Sequence, residues 1–177
     1  MTDGFPLPGR CVILMAPSGA GKSTLAEQLA HEMGAAVVSY DAHQRRLAGD
    51  TGVETVSEEA LTAAWAELSA HCAAGTPVIV DGTHCQPEHR ATVRAIATAH
   101  GQDTILLVLL VPLEVCLARQ QLRDRRVPLS DIARQRAAIA AALPTLGDEG
   151  HTAVIRLNDA VITDACRDAH RLPWPTR

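Results

Sequence analysis

Apolar runs of strand length recur at Cys11–Met15, Ala35–Tyr40, Val78–Val80, Thr104–Val111 and Thr152–Leu157, and stretches with helical spacing separate them. After the first run, Leu25 and Leu29 repeat one helical turn apart over residues 22–33, and Gly34 stops the helix. A second helix starts behind Ser57, carries Glu58 and Glu59 in its first turn and ends at Gly75 and Pro77. Pro87 opens a third and Gly101 closes it. The run at 104–111 is apolar at nearly every position, which predicts a central strand buried on both faces, with Pro112 ending it. An Arg-rich helical stretch follows, then a helix capped by Ser130 and Asp131 that reaches Leu143, and a last helix from about Asn158. His43–Val56 is a polar stretch to which no element is assigned. Strand and helix alternate throughout, so the pattern predicts an α/β fold: a five-stranded parallel sheet with helices on both faces, in a single domain over residues 1–177.

The turn after the first strand changes this picture from fold to chemistry. Ala16-Pro17-Ser18-Gly19-Ala20-Gly21-Lys22-Ser23-Thr24 has the order of a phosphate-binding loop: strand, Gly-containing loop, then Gly-Lys-Ser-Thr at a helix start. Backbone N–H groups from Ser18 through Thr24 would surround a polyphosphate, with the helix N-terminus adding to the attraction. Lys22 would reach the β- and γ-phosphates, and the Ser23 hydroxyl would hold a magnesium ion. The usual pattern begins with Gly where this chain has Ala16, a small departure wherever φ stays negative. In a parallel sheet, function gathers at the carboxyl ends of the strands, where Asp41 and Asp81 stand. Asp81 is placed to bind the magnesium directly or through water, and Asp41 to accept the proton of an attacking hydroxyl. The competing reading of each is a helix or turn cap.

Arg119, Arg123 and Arg126 fall within roughly 60° of one another on a helix. Three like charges on one face repel, so the cluster makes sense if a triphosphate neutralises it; the alternative is a solvated surface helix. His84 reads as a polar residue at the mouth of the site, touching substrate or phosphate. His84, Cys85 and His89 match no zinc spacing, and Cys11 and Cys116 read as core packing.

Composition narrows the partners. A formal charge of −4 offers no overall field for nucleic acid, and the aromatic side chains are limited to Phe5, Tyr40, Trp65 and Trp174, which leaves few stacking platforms for a single strand. Five cysteines without a Cys-x-x-Cys pair indicate free thiols in a reducing compartment. With no run of membrane-spanning length and no signal-like start, a cytoplasmic protein without membrane contact is expected.

The order phosphate loop, Val38-Ser39-Tyr40-Asp41, Val80-Asp81-Gly82-Thr83-His84, Arg-rich stretch, and Arg136 to Leu143 resembles the P-loop kinases grouped around the polynucleotide 5′-hydroxyl kinase domain. Zeta toxins, gluconate kinase and chloramphenicol phosphotransferase are similar at greater distance. The resemblance runs from about Cys11 to Asn158. It implies a three-layer α/β/α P-loop fold with a short Arg-rich lid at about 119–130, Mg2+, and ATP or GTP as phosphate donor. By it, Lys22 and Ser23 bind triphosphate and magnesium, Asp41 is the general base, and Arg123 and Arg126 are lid arginines on the phosphates. Arg119 flanks the nucleobase, Asn158 lies on the nucleotide side, and Gln44, Arg45, Thr83 and His84 lie on the acceptor side. Two departures fall there. Gln44 stands three residues after Asp41 where the polynucleotide kinases carry Arg, with Arg45 one step later, and His84 stands where they tend to carry Asn. A different acceptor follows: a small-molecule hydroxyl, with a nucleoside-like antibiotic in self-resistance as the class favoured by analogy. A polynucleotide 5′-hydroxyl kinase is the alternative. A nucleotide switch without phosphotransfer is less favoured, since the guanine motif Asn-Lys-x-Asp is absent.

Overall fold

In the computed structural model, which describes residues 10–48, 58–122 and 127–175, the elements run in the order β1 (Arg10–Met15), α1 (Lys22–Met33), β2 (Ala36–Ser39), α2 (Tyr40–Ala48), α3 (Glu58–Ala73), β3 (Val78–Asp81), α4 (Pro87–Ala99), β4 (Asp103–Leu110), α5 (Leu113–Gln121), α6 (Leu129–Ala142), β5 (Ala153–Asn158) and α7 (Asp159–Ala165). The described strands form one sheet in the order β2-β3-β1-β4-β5, and every pairing is parallel. This is the three-layer α/β/α arrangement the alternation predicts.

The residues of β1 are buried throughout, which follows from its place between β3 and β4 with helices on both faces. Its side chains alternate between two cores. Val12 and Leu14 pack with Leu25 and Leu29 of α1 and Ile162 of α7; Cys11, Ile13 and Met15 pack with Leu68 of α3 and Val93 of α4. At roughly 2 kcal/mol per buried aliphatic side chain, these layers hold the strand whose end carries the site. The chain leaving β1 turns toward β2, whereas the chain leaving β3 turns toward β4, so the order of the sheet opens a crevice beside the ends of β1 and β3.

Two expectations differ from what the fold shows. The polar stretch after β2 opens as helix α2, so Asp41 occupies a first helical turn rather than a strand end. A sparse apolar pattern hid this helix; its first turn is capped when the Ala42 N–H donates to Ser39 Oγ at 3.4 Å, and its flank is tied to α3 by His43 Nε2 and Glu67 Oε2 at 2.5 Å. α6 begins at Leu129 with Pro128 before it, so Ser130 and Asp131 lie in its first turn rather than ahead of it. α5 ends at Gln121, with Arg119 in its last turn; Arg123 and Arg126, which the spacing puts on the same face, lie outside the described residues, as does Ser57. Among the described residues no helix is long and apolar enough to cross a membrane.

Candidate active site

The loop from Ala16 to Gly21 links β1 to α1 and is shaped by two glycines. Gly19 and Gly21 have φ angles of 86° and 91°, in the left-handed region that favours glycine. A Cβ on Gly19 would fall 2.5 Å from the carbonyl oxygen of Cys116, so α5 backbone closes that position to any side chain. Gly21 is the N-cap of α1, where the unpaired N–H groups of the first turn and the helix dipole make an anion site. Ala16 is buried, has no positive φ, and donates its N–H to the Thr83 carbonyl at 3.2 Å. Its methyl group is therefore accommodated without strain. Gly19 and Ala20 are buried, Ser18 is half-buried, and Ser23 and Thr24 are exposed at the start of α1.

Lys22 Nζ donates to the carbonyls of Ala16 at 3.2 Å and Pro17 at 2.9 Å, so the ammonium is folded back over the loop. Ser23 Oγ donates to Asp81 Oδ2 at 2.9 Å. This joins the first turn of α1 to the end of β3 across the crevice, and the pairing comes from residues 58 apart in sequence. A hydroxyl oxygen beside a carboxylate is a donor set that suits magnesium, which takes few protein oxygens and completes its shell with phosphate and water.

On the far side of the loop, Gly19, Gly21, Thr24, Arg119, Leu122, Ile162, Thr163, Cys166 and Arg167 line an open cleft of about 430 Å³. Arg119 Nη2 donates to Asp159 Oδ1 at 3.0 Å, while its Nη1 is buried without a hydrogen-bond partner among the described residues. A buried orphan donor is costly unless something accepts from it, and its position over Gly21 is where a nucleotide would lie. Asn158 does not line this cleft. Its side chain caps α7, accepting from the Val161 N–H at 3.0 Å.

The acceptor side is built from α2 and the turn after β3. Asp41 is exposed, and because Ser39 supplies the cap of α2, the Asp41 carboxylate is not used as a cap. Arg45 is exposed one turn on, and Gln44 is buried. Thr83 is half-buried, with its carbonyl engaged by Ala16. His84 is not at the mouth of the site. It is 1% exposed, with a φ of 45° that marks it, among the described residues, as the non-glycine in the left-handed region. Its Nδ1 lies 2.7 Å from the Leu14 carbonyl and its Nε2 3.1 Å from Tyr40 Oη. Burial pushes its pKa down to about 4, so the ring is neutral. The expectation of substrate contact fails because the positive φ turns this side chain inward, beneath the sheet edge.

For several residues that shape the site, the sequence carried no signal of the contacts they make. Gln135 of α6 accepts the Ser18 N–H on Oε1 at 2.8 Å, and Arg136 beside it donates to the Val111 carbonyl at the end of β4. Arg90, buried in α4, donates from Nη1 to the His84 carbonyl at 2.8 Å and is paired with Glu149. Tyr40 is 5% exposed, with its ring 5.2 Å from that of His84 and edge-on to His89. Burial raises its hydroxyl pKa to about 12. Spacing could not supply the long-range contacts among these, such as Ser18 to Gln135, 117 residues apart, because the sheet order brings their segments together; Arg90 to His84 is local, six residues apart.

The comparisons with known proteins fit this geometry. A guanylate kinase from Myxococcus xanthus (strain DK1622) is 28% identical over 189 residues, covering 90% of this chain and 89% of that protein. Among solved structures, a sugar kinase from Janibacter sp. HTCC2649 superposes with a TM-score of 0.63 at 24% identity, over 90% of this chain and 91% of that one. A gluconokinase from Sinorhizobium meliloti 1021 superposes with a TM-score of 0.65 at 17% identity, over 92% and 90% respectively. These likenesses show a common fold. The family described as AAA domain matches residues 12–142, a span that begins in β1 ahead of the phosphate loop and ends with α6, and the chain belongs to that family.

Proposed function

We propose that this protein is a nucleotide-dependent phosphotransferase that moves the γ-phosphate of ATP or GTP to a hydroxyl group of a small molecule. The observation that carries the reading is the division of labour between two carboxylates: Asp81 at the end of β3 engages the Ser23 hydroxyl at 2.9 Å, while Asp41 stands exposed in the first turn of α2, which follows the neighbouring strand β2. The first suits a metal site and the second a nucleophile. Magnesium, when bound by Ser23 and Asp81, neutralises charge on the phosphates. Lys22 positions the β- and γ-phosphates, Arg119 lies along the nucleotide, and Arg123 and Arg126, outside the described residues, are assigned to the phosphates by the resemblance. The acceptor oxygen attacks the γ-phosphorus in line as the bond to the β–γ bridging oxygen breaks, and the nucleoside diphosphate leaves with that electron pair. The acceptor proton passes to Asp41 and from there to solvent.

A small acceptor is favoured over a polynucleotide 5′ end. Tyr40, one of two aromatic candidates for stacking a strand, is buried with its hydroxyl committed to His84, which leaves Trp65. The printed names sugar kinase and gluconokinase among structural neighbours support a small hydroxyl acceptor, and the resemblance to antibiotic phosphotransferases points to a nucleoside-like antibiotic within that class. Gln44, Arg45 and Thr83 are the residues assigned to it.

The test incubates the protein with magnesium and ATP or GTP against a panel of sugars, nucleosides, nucleoside antibiotics and 5′-hydroxyl oligonucleotides, following diphosphate release and the mass of the phosphorylated product. Lys22→Ala is expected to lower the rate by about 10² or more, as removal of an electrostatic clamp does. Turnover that no hydroxyl compound stimulates, together with near-normal turnover in Lys22→Ala, would overturn the reading.

A further inference from the structure

The turn after β3 contains a buried histidine that the phosphotransfer scheme leaves without a task. In the register of the sheet, Ser39 pairs with Asp81 and Ile13 with Val80, so Tyr40 and Gly82 come level just past the ends of β2 and β3, and Leu14 of β1 stands one residue behind them, level with Asp81. His84 folds back across this edge. A carbonyl only accepts, so Nδ1 carries the proton and donates to the Leu14 oxygen at 2.7 Å; in the neutral ring Nε2 then accepts from the Tyr40 hydroxyl at 3.1 Å. One imidazole thus ties β1, two residues ahead of the phosphate loop, to the residue that immediately precedes Asp41.

The surroundings hold that bridge in one arrangement. A Cβ on Gly82 would lie 2.8 Å from Tyr40 Cδ2 and 3.0 Å from His84 Cε1, so the glycine is needed for the two rings to meet over the strand end. Arg90 clasps the turn from below, donating to the carbonyls of His84 at 2.8 Å and Cys85 at 3.2 Å, and its own charge is matched by Glu149. A positive φ at a non-glycine residue costs energy and persists where the surroundings over-determine it. Buried polar bridges of this kind rigidify when every member is satisfied.

We propose that His84 and Tyr40 are positioning residues that set the place of Asp41 against the phosphate loop, acting on transfer through Asp41 and on nucleotide binding hardly at all. The proposal rests on the assignment of Asp41 as the base. Phosphoryl transfer depends on holding the acceptor within a few tenths of an ångström of the in-line path, so a loosened carboxylate lowers the rate without changing what the loop binds.

The experiment is a double-mutant cycle. Tyr40→Phe keeps the ring against Gly82 and removes only the hydroxyl; His84→Asn keeps a residue tolerant of positive φ and removes the bridge. Rates are read with the best hydroxyl compound from the panel above and, in parallel, as nucleotide hydrolysis with water as acceptor; MgADP and MgGDP affinities are measured by calorimetry. Tyr40→Phe is expected to lower kcat by about 10-fold, the scale of a misplaced catalytic group, with diphosphate affinity within about 2-fold. In the Asp41→Asn background the same substitution is expected to change kcat by less than about 2-fold, because the group it positions is gone. Equal losses in both backgrounds, or no loss in either, overturn the proposal. A full rate in Asp41→Asn alone is a different result: it removes the base assignment, and with it this proposal, while leaving the phosphate loop intact. His84→Asn must reproduce the pattern of Tyr40→Phe; a loss of diphosphate affinity in both variants would instead make the bridge a support of the loop.

Discussion

On the donor side, the anion site is made of main chain: two glycines at φ 86° and 91°, the first turn of α1, and a lysine folded onto the carbonyls of Ala16 and Pro17. On the proposed acceptor side, the work falls to side chains of α2 and the turn after β3, namely Asp41, Gln44, Arg45 and Thr83, next to the hydrogen-bonded set of Tyr40, His84 and Arg90. The loop of the donor half is built from consecutive residues behind a fully buried strand, with Asp81 and Gln135 reaching it from 58 and 117 residues away. The acceptor half is long-range and hangs on a bridge of hydrogen bonds between strand ends. A main-chain site accepts any nucleoside triphosphate of the right length, since it reads phosphate oxygens. A side-chain constellation can be altered one residue at a time, and the function proposed above puts substrate choice there.

If the two halves are separable in this way, substitutions should divide their effects accordingly. The largest effect is expected at Asp41. Asp41→Asn keeps the shape and removes the charge, so kcat should fall by about 10² to 10⁴ with nucleotide affinity nearly unchanged. Steady-state kinetics at saturating nucleotide, alongside calorimetry with the diphosphate, measure both quantities. A matching loss of nucleotide affinity would break the comparison, because it would put Asp41 on the donor side.

The next effect is on stability. Burial lowers the His84 pKa from 6.5 to about 4 in the folded protein. The unfolded chain therefore binds this proton at a higher pH than the folded one, and the His84 contribution is complete above about pH 6.5, lost as pH falls toward 4, and constant below. A shift of this size corresponds to on the order of 3 kcal/mol. His89 and His151 are also pushed down by burial and add to the same slope. Denaturant unfolding between pH 7 and pH 4.5 should show a clear decline in the native protein and a shallower one in His84→Asn; equal slopes would mean that His84 does not titrate as a buried group.

A smaller effect is expected at the metal. Asp81→Asn should raise the magnesium concentration needed for half-maximal rate by about 10-fold, the scale of losing one ligand or its outer-shell partner. Excess magnesium should restore most of the rate, and it should do nothing for Asp41→Asn. Rescue of Asp41→Asn and not Asp81→Asn would exchange their roles. The smallest effect is expected at Arg119, half exposed and already held by Asp159. Arg119→Ala should weaken diphosphate binding by about 10-fold or less, as a partly solvated charged hydrogen bond does, and leave kcat close to normal at saturation. A surface control, Arg156→Ala, should change neither.

Much of this molecule can be read from its chain. The five strands, the loop at 16–24 and the helix at Lys22–Met33 are where the apolar pattern and the glycines place them, because strand burial and positive-φ turns depend on local residue type. α2 was hidden because a short helix tied by single polar contacts such as His43 to Glu67 needs no apolar stripe. Of the three arginines that the spacing puts on one face, Arg119 lies in the last turn of α5, and Arg123 and Arg126 lie outside the described residues.

The sequence by itself determined the donor half: a strand that must be buried, a loop that only glycine can turn, and a lysine and a hydroxyl at the helix start. Those features depend on residues within a few positions of one another, so composition and order suffice. Only the tertiary structure decided that His84 lies beneath the sheet edge rather than in the site, that Asp159 and not Asn158 holds Arg119, and that Gln135 reaches the Ser18 N–H from 117 residues away. Each of these contacts depends on the order β2-β3-β1-β4-β5. That order sets which strand ends are neighbours, and a linear pattern of apolar and polar residues carries no record of it.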